Sequence, residues 1–221
     1  MKKMTGTDFD NLVEFFDAMA QTKWLTGIHD LLKDLSGSWE NKTILDVGCG
    51  TGRLLERGIG EANQLIGVDL SKEMVEKSKI LFDCSADTTE YSFQVADAYQ
   101  LPFTDHFVDV ALSTCVIFLL PEPGKGLDEL NRVVKADGVI AMLNPSPRME
   151  PDAAKEYADQ HMLSGFERES LLKWSNVSTT RHRYSNTELD QILTGLGMSN
   201  VLHTAVLNGL ATITVAKTNS L

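Results

Sequence analysis

A glycine-rich turn follows a short apolar run early in the chain, in the segment LDVGCGTG at residues 45–52. Glycines after a buried strand let the chain turn sharply and let a ligand approach bare backbone. A dinucleotide fingerprint would need another glycine at position 53, where a helix start receives a pyrophosphate. Arg53 stands there instead. The turn therefore favours a ligand without phosphates, whose amino-acid part passes the loop.

Asp69 ends the next apolar run, 17 residues after Gly52. That separation is close to the roughly 20 residues at which an acidic side chain meets a ribose diol in nucleotide-binding folds. A carboxylate at this point can accept hydrogen bonds from both ribose hydroxyls. The alternative is that Asp69 only stabilises the start of the following helix through the helix dipole. With the glycine turn before it in the chain, we favour the ribose role.

A further acidic residue, Asp97, ends the strand-like segment at 91–96. In open α/β sheets, ligands bind in the crevice outside the carboxyl ends of the strands. Asp97 would therefore lie beside the same ligand, where it could accept a hydrogen bond from an adenine amino group.

These side chains need strands to position them, and the sequence predicts strands at 43–47, 64–69, 91–96, 107–113 and 138–143. Helices are predicted between them at 52–60, from Ser71 as N-cap to Lys79 or beyond, and at 126–135. Alternating strands and helices indicate a parallel sheet covered on both faces. Right-handed crossovers then make it a doubly wound, Rossmann-like α/β fold.

The end of the chain departs from this alternation. A helix is predicted at 187–196, followed by strand-like segments at 200–207 and 211–216. Asn208-Gly209 between them is a strong hairpin signal. We therefore predict a mostly parallel sheet that ends in an antiparallel C-terminal hairpin.

Two segments stand outside the sheet pattern of the single domain predicted for residues 1–221. Residues 1–38 are predicted to form an N-terminal helical cap, in which Trp24 either packs in the core or covers the pocket with Phe16 and Met19. Prolines open a helical insertion at 145–185, with short helices at 153–163 and 167–174. A long insertion is either a surface excursion or a lid over the active site.

The chain resembles class I S-adenosylmethionine (SAM)-dependent methyltransferases. The likeness is greatest to the small-molecule group that includes the ubiquinone and menaquinone C-methyltransferases. The matching segments occur in the family's order and at its spacing: ILDVGCGTGRLL (44–55), LIGVDLSKEMVEKSK (65–79), VADAYQLPF (95–103), FVDVALS (107–113) and ELNRVVKADGVIAML (129–143). The C-terminal hairpin also matches the family's reversed last strand.

The resemblance implies SAM as cofactor, S-adenosyl-L-homocysteine as product and a small molecule as methyl acceptor. It implies that Asp46 influences the SAM ammonium group, directly or through water. It also implies that the methionine part contacts the backbone of the turn at Gly48, Cys49, Gly50 and Gly52.

The same resemblance assigns roles at the following strand ends. Asp69 would hold the ribose hydroxyls, and Leu70 would line the adenine face. Asp97 and Ala98 would bind the adenine edge. Just after the fourth strand, Ser113 and Thr114 would face the methionine part and the transferring methyl group.

The chain also departs from the family pattern. The usual Lys-Pro-Gly-Gly turn before strand five is replaced by KADG at 135–138, which alters only that turn. The segment at 115–120 is apolar throughout, whereas the quinone branch often carries histidines there, which weakens assignment to any one branch. The Asn-Pro-Pro-Tyr signature of amino-methylating enzymes is not found after strand four.

Composition narrows the remaining classes. A net charge of −11 argues against a nucleic-acid partner, because phosphate binding needs a basic surface. The sequence contains no apolar run long enough for a membrane span and no apolar signal-peptide core near its start. Three widely spaced cysteines argue against a zinc site or disulfides. We expect a cytoplasmic protein, and nothing indicates its oligomeric state.

Methyl transfer from a sulfonium is an in-line displacement, so the enzyme mainly supplies position and a desolvated pocket. We therefore predict no particular catalytic residue. Ser113-Thr114-Cys115 offers no carboxylate cluster, so we also predict no metal. Side chains in or beside the insertion either touch the acceptor or only pack: Tyr157, His161, Trp174, His182 and Tyr184.

Three function classes remain. The first is a SAM-dependent methyltransferase acting on an O, N or C atom. The second is a non-catalytic SAM- or nucleoside-binding regulatory protein. The third, a nicotinamide dehydrogenase, is disfavoured by Arg53 and by the C-terminal hairpin.

Overall fold

The computed structural model describes residues 1, 3–84 and 89–219. Within these ranges the chain forms a seven-stranded sheet with the order β3-β2-β1-β4-β5-β7-β6. The strands are β1 Thr43–Val47, β2 Gln64–Asp69, β3 Glu90–Val95, β4 Val108–Thr114, β5 Val134–Pro145, β6 Ser199–Val206 and β7 Ala211–Lys217.

The sheet is parallel from β3 through β5 and antiparallel at β7 and β6. Adjacent strand residues face opposite layers, since side chains alternate across a sheet. Ile44 packs in the layer that contains the helices Lys23–Leu35 and Lys72–Asp83, and Leu45 packs in the layer that contains the helices Pro123–Val133 and Asn186–Gly195. The predicted fold class, with helices on both faces and an antiparallel C-terminal hairpin, is confirmed.

The helices in the described ranges are α1 Gly6–Asp10, α2 Val13–Ala20, α3 Lys23–Leu35, α4 Lys72–Asp83, α5 Pro123–Val133, α6 Pro151–Gln160, α7 Gly165–Ser178 and α8 Asn186–Gly195. Ser71 is the predicted N-cap of α4, and its hydroxyl accepts the Met74 N–H at 3.2 Å. No helix in these ranges is both long and apolar enough to cross a bilayer.

The prediction of a helix at 52–60 is wrong. Only a short 3₁₀ turn forms there, at Leu55–Gly58. Gly52 and Gly60 have φ values of 83° and 79°, so left-handed backbone bounds the segment at both ends. Gly58 also lies so close to Trp39 that a Cβ atom would be 2.9 Å from its ring. These constraints leave room for one tight turn rather than a regular helix.

Strand β5 is longer than the predicted segment at 138–143. It begins at Val134, directly after α5, and therefore includes Lys135, which the sequence pattern assigned to a helix. The extra residues pair with the start of β4, where Val108 lies opposite Val134. The sheet pairing thus overrides the local helical pattern.

The helices of the insertion pack against the N-terminal helices. Trp24 of α3 stacks on Trp174 of α7, with ring centroids 5.8 Å apart and planes 9° from parallel. The Trp24 indole N–H also donates to the Glu167 carbonyl at 3.2 Å, and Phe15 meets Phe166 edge-on at 5.4 Å. The insertion therefore supports α2 and α3 from one side.

Candidate active site

A cavity lies at the carboxyl ends of β1, β2 and β4 and beside Asp97, which follows β3. The N-terminal segment, here residues 3–38, forms much of the remaining wall of the cavity. Most of the site residues suggested by the sequence line it: Asp46, Gly48, Cys49, Gly50, Asp69, Leu70, Asp97, Ala98 and Thr114. Gly52 and Ser113 do not line it. Gly52 instead packs beside Phe82 and Phe93.

The glycine loop is held against β2. The Gly48 and Cys49 N–H groups both donate to the Val68 carbonyl, at 2.7 Å and 3.0 Å. Gly48 and Gly50 have φ values of 78° and 53°, a conformation that strongly favours glycine. A Cβ atom on Gly48 would lie 2.1 Å from Val116 Cγ2, whereas one on Gly50 would meet nothing within 4 Å. Gly48 is therefore needed for close packing, and Gly50 for its backbone conformation alone.

Asp69 joins the glycine loop to the start of α4. Its Oδ2 accepts the Gly50 N–H and its Oδ1 accepts the Ser71 N–H, both at 2.9 Å. Burial raises the pKa of Asp69, and these backbone hydrogen bonds oppose the rise. The carboxylate thus organises the helix start, as the alternative interpretation held. It also lines the cavity, where its remaining lone pairs can accept ligand hydroxyls.

Asp46 is a buried acid with an unpaired oxygen. Its residue is 1% exposed, and its Oδ1 has no hydrogen-bond partner among the described residues. Burial, together with the charge of Asp69, raises the pKa of Asp46 to about 7. Buried polar atoms in folded proteins nearly always have partners. An ammonium group in the cavity would supply both the missing hydrogen bond and a counter-charge.

The N-terminal segment crosses the cavity at Asp97. The Lys3 ammonium pairs with Asp97 Oδ2 and lies 4.3 Å above the Tyr99 ring. A Cβ atom on Gly6 would lie 2.3 Å from the Leu70 carbonyl oxygen, so the chain rests directly on Leu70 there. The residues expected to meet an adenine thus lie directly beneath the N-terminal segment.

A network that the sequence did not predict ties α2 to the glycine loop. Arg53 donates to both oxygens of Asp17, at 2.9 Å and 3.2 Å, and the Thr51 hydroxyl donates to Asp17 Oδ1 at 2.7 Å. Burial raises the pKa of Asp17, but the hydrogen bonds from Arg53 and Thr51 outweigh it and leave the pKa below its usual value. The bulky residue that argued against a dinucleotide therefore anchors the cavity wall.

Asp17→Ala is expected to lower the free energy of unfolding by about 1.5–3 kcal/mol, because it removes the partner of the Thr51 hydroxyl and leaves Arg53 with only its longer contacts to Glu56. Chemical denaturation measures this loss. Asp30→Ala is the matched control, since Asp30 also pairs with an arginine after the glycine loop, Arg57, but its side chain is 60% exposed. Its loss should stay below about 1 kcal/mol. Equal losses in the two variants would contradict a special role for the Asp17 network.

The end of β4 contributes Thr114 and Cys115 to the lining, while Ser113 is fully buried. The Ser113 hydroxyl has no partner among the described residues. Cys115 has a φ of 59°, which is rare outside glycine and is often found at functional sites. Burial raises the pKa of its thiol to about 12, so the group is neutral at physiological pH.

The side chains singled out in and beside the insertion do not line the cavity. They form stacked pairs instead: Tyr157 with His161, His182 with Tyr184, and Trp174 with Trp24. From the N-terminal segment, Phe16 and Met19 do line the cavity, but Trp24 does not. Among the described residues, no three His, Cys, Asp or Glu side chains are grouped as metal ligands would be.

The family that matches this chain and two of its relatives are named as methyltransferases. A family described as a methyltransferase domain matches residues 45–142, from β1 to β5. A ubiquinone/menaquinone biosynthesis C-methyltransferase, UbiE of Geotalea uraniireducens, is 31% identical over 187 residues, which cover 80% of this chain and 79% of that protein. A 2-phytyl-1,4-naphtoquinone methyltransferase of Trichormus variabilis is 25% identical over 215 residues, covering 91% and 93%.

A solved structure has the same fold over nearly its whole length. Magnesium protoporphyrin IX methyltransferase of Synechocystis, with S-adenosylhomocysteine bound, superposes with a TM-score of 0.69 at 14% identity, covering 96% of this chain and 97% of that chain. The UbiE match extends over most of both proteins, and the segment matched by the family contains the glycine loop and the carboxylates Asp46, Asp69 and Asp97. This chain therefore belongs to the class I SAM-dependent methyltransferases.

Proposed function

We propose that this enzyme transfers the methyl group of SAM to an O, N or C atom of a small, largely apolar acceptor and releases S-adenosyl-L-homocysteine. The observation that carries the proposal is the composition of the cavity wall. Its strand-end part contains the carboxylates and the glycine loop, which suit SAM. Its N-terminal part is mainly apolar, with Phe9, Phe16, Met19 and Leu25 among its residues. An apolar wall with few polar groups is typical of sites for small organic ligands.

The residues of the cavity fit SAM. The unpaired Oδ1 of Asp46 suits the ammonium of its methionine part, and the bare backbone at Gly48 and Gly50 lets that part approach closely. Asp69 offers its free lone pairs to the ribose hydroxyls. Leu70 and Asp97 line the stretch that an adenine would occupy, and adenine would replace Lys3 as the partner of Asp97.

Bound SAM supplies a methyl group that its sulfonium already activates. The protein then has to hold the acceptor in line with that methyl group and exclude water. The apolar side chains of α1–α3 exclude water, because they cover the strand ends.

The names of the relatives UbiE and 2-phytyl-1,4-naphtoquinone methyltransferase refer to quinones. We therefore propose a flat aromatic or quinone-like acceptor.

We also propose that residues 1–38 act as the cap of the active site. The contacts support a different role for residues 145–185, which brace the cap through Trp174 and Phe166. None of the residues at 145–185 lines the cavity. Its role as a lid that touches substrate stays a prediction.

Calorimetry with SAM, S-adenosylhomocysteine and NAD tests the proposal, followed by turnover assays on a panel of phenols, amines and quinols. We expect binding of the first two ligands and methylation of at least one aromatic acceptor. Binding of NAD without binding of SAM would overturn the proposal. Tight SAM binding with no turnover on the whole panel would favour the regulatory binding protein.

SAM binding is expected to strengthen by about threefold to tenfold between about pH 6 and pH 7.5. Asp46 is neutral below its pKa of about 7 and ionised above it, and only the ionised form attracts the ligand ammonium. Calorimetry across this range measures the effect. Asp46→Asn should remove the pH dependence. The control ligand 5′-methylthioadenosine lacks the ammonium, so its affinity should not vary; a similar rise with that ligand would contradict the assignment.

The same raised pKa affects stability without ligand. The buried Asp46 remains protonated until the pH approaches about 7, whereas in the unfolded chain its carboxyl ionises near the ordinary aspartate pKa of 3.8. The stability that Asp46 contributes in full below about pH 3.8 is therefore lost as the pH rises through about 7. Asp46→Asn should consequently raise the melting temperature more above pH 7 than near pH 4. The melting transition itself would also show that the variant folds.

EDTA is expected to leave methyl transfer unchanged, because an in-line displacement at a sulfonium needs no Lewis acid once the reactants are positioned. The measurement compares initial rates with and without the chelator on the best acceptor of the panel. Restoration by Mg²⁺ of a rate lost in EDTA would overturn the expectation of a metal-free reaction.

A further inference from the structure

His29 is a histidine in the cavity wall whose Nδ1 has no partner among the described residues. The residue is only 4% exposed. A buried polar atom without a hydrogen bond costs about 1–3 kcal/mol. An aliphatic side chain at this position in α3 would avoid that cost, so a functional role would explain the presence of a histidine here.

The part of the cavity wall that α1–α3 contribute is apolar apart from His29. Leu25, one turn earlier on α3, lines the cavity beside it, and α2 contributes Phe16 and Met19. Among the lining residues that belong to α1–α3, His29 alone is titratable. It therefore places a single polar group within the apolar surface of the cap.

Burial, aided by a neighbouring positive charge, keeps the ring of His29 neutral. Burial and the Arg57 guanidinium lower the pKa of His29 to about 3, and Asp30 only partly opposes them. Arg57 itself pairs with Asp30 at 2.6 Å and also donates to the Arg53 carbonyl. A neutral imidazole offers one N–H donor and one acceptor nitrogen. His29 is therefore suited to exchange hydrogen bonds rather than to carry charge.

We propose that His29 is a specificity-determining residue that hydrogen-bonds an oxygen substituent, a hydroxyl or a carbonyl, on a flat aromatic acceptor packed against the cap. The inference rests on the proposed function and adds the chemical group that the acceptor must present. In an apolar pocket, a few polar groups fix ligand orientation. A site built to bond a hydroxyl also rejects the analogue that lacks it. The methionine part of SAM has other partners, Asp46 and the glycine loop.

The test compares binding of 2-naphthol with that of 2-methylnaphthalene, which has a methyl group in place of the hydroxyl. Both are titrated with and without S-adenosylhomocysteine. Wild type should prefer the naphthol by about tenfold. His29→Leu should reduce that preference to about twofold or less, and His29→Gln should retain part of it. His161→Leu is the control, since His161 is exposed and lies outside the cavity; it should behave as wild type.

A second readout does not depend on the stability of the leucine variant. In ¹⁵N-histidine spectra of wild type, a ring resonance assigned through His29→Gln should shift with 2-naphthol and not with 2-methylnaphthalene. No shift, no naphthol binding, or a preference that survives in His29→Leu overturns the inference. So does a loss in His29→Leu of affinity for S-adenosylhomocysteine but not for 5′-methylthioadenosine, which would assign His29 to the amino-acid part. Failure of SAM binding or turnover bears on the proposed function alone.

Discussion

Replacing Asp69 with alanine is expected to weaken SAM binding by about 10- to 100-fold, equivalent to about 1–3 kcal/mol. The carboxylate lines the cavity at the end of β2. Its oxygens already accept the N–H groups of Gly50 and Ser71, so it is fixed before a ligand arrives. Ribose hydroxyls can bond to the remaining lone pairs with little loss of side-chain entropy. Calorimetry on the folded variant measures the change.

The control must separate ribose binding from the support that Asp69 gives to the glycine loop. Adenosine and 2′,3′-dideoxyadenosine differ only in the two hydroxyls, and both are weaker ligands that need no methionine contacts. Wild type should prefer adenosine, and Asp69→Ala should bind the two almost equally. If the variant loses the same affinity for both, Asp69 acts only through the loop and its ribose role is rejected.

The order of strands and helices could be predicted because the signals are local. β1 and β2 are short apolar runs that end in the glycine turn and in Asp69, and their predicted bounds are those observed. Asn208-Gly209 marked the C-terminal hairpin, and Asn208 has the left-handed φ of 53° that such turns favour. Each of these features depends on residues close together in the chain.

The segment at 52–60 could not be predicted in the same way. Its helical appearance ignored the packing of Gly58 against Trp39, a residue 19 positions away. It also ignored the attachment of Arg53 to Asp17, 36 positions away. Long-range contacts of this kind leave no periodic trace in the sequence.

The sequence located the strand-end part of the candidate site and predicted a helical cap at 1–38, but it left open whether Trp24 covers the pocket with Phe16 and Met19 or packs in the core. The strand-end residues follow from topology, since parallel strands bring their carboxyl ends to one edge. Ser113 and Thr114 are neighbours on β4, so their side chains face opposite layers. Thr114 lines the cavity and Ser113 does not. The apolar pattern of α2 and α3 predicted helices but could not tell which side would cover a ligand and which would meet the insertion.

Gly48→Ala is expected to lower the free energy of unfolding by about 2–5 kcal/mol. Two costs add at this position. The φ of 78° is unfavourable for alanine, and the new Cβ would lie 2.1 Å from Val116 Cγ2. Val116 follows β4 and lines the cavity, so relief of the clash would also move the pocket wall. Denaturation measures the stability, and SAM calorimetry measures the pocket.

Gly50→Ala is the matched control within the same loop. Its φ of 53° imposes the conformational cost, but its Cβ would meet nothing within 4 Å. It should lose only about 1–2 kcal/mol. The double variant Gly48→Ala/Val116→Ala removes Cγ2, and the remaining Val116 Cβ would lie at a tolerable 3.4 Å. A favourable coupling of about 1–3 kcal/mol is therefore expected in the double-mutant cycle. Additive losses would mean that backbone conformation alone requires glycine at position 48.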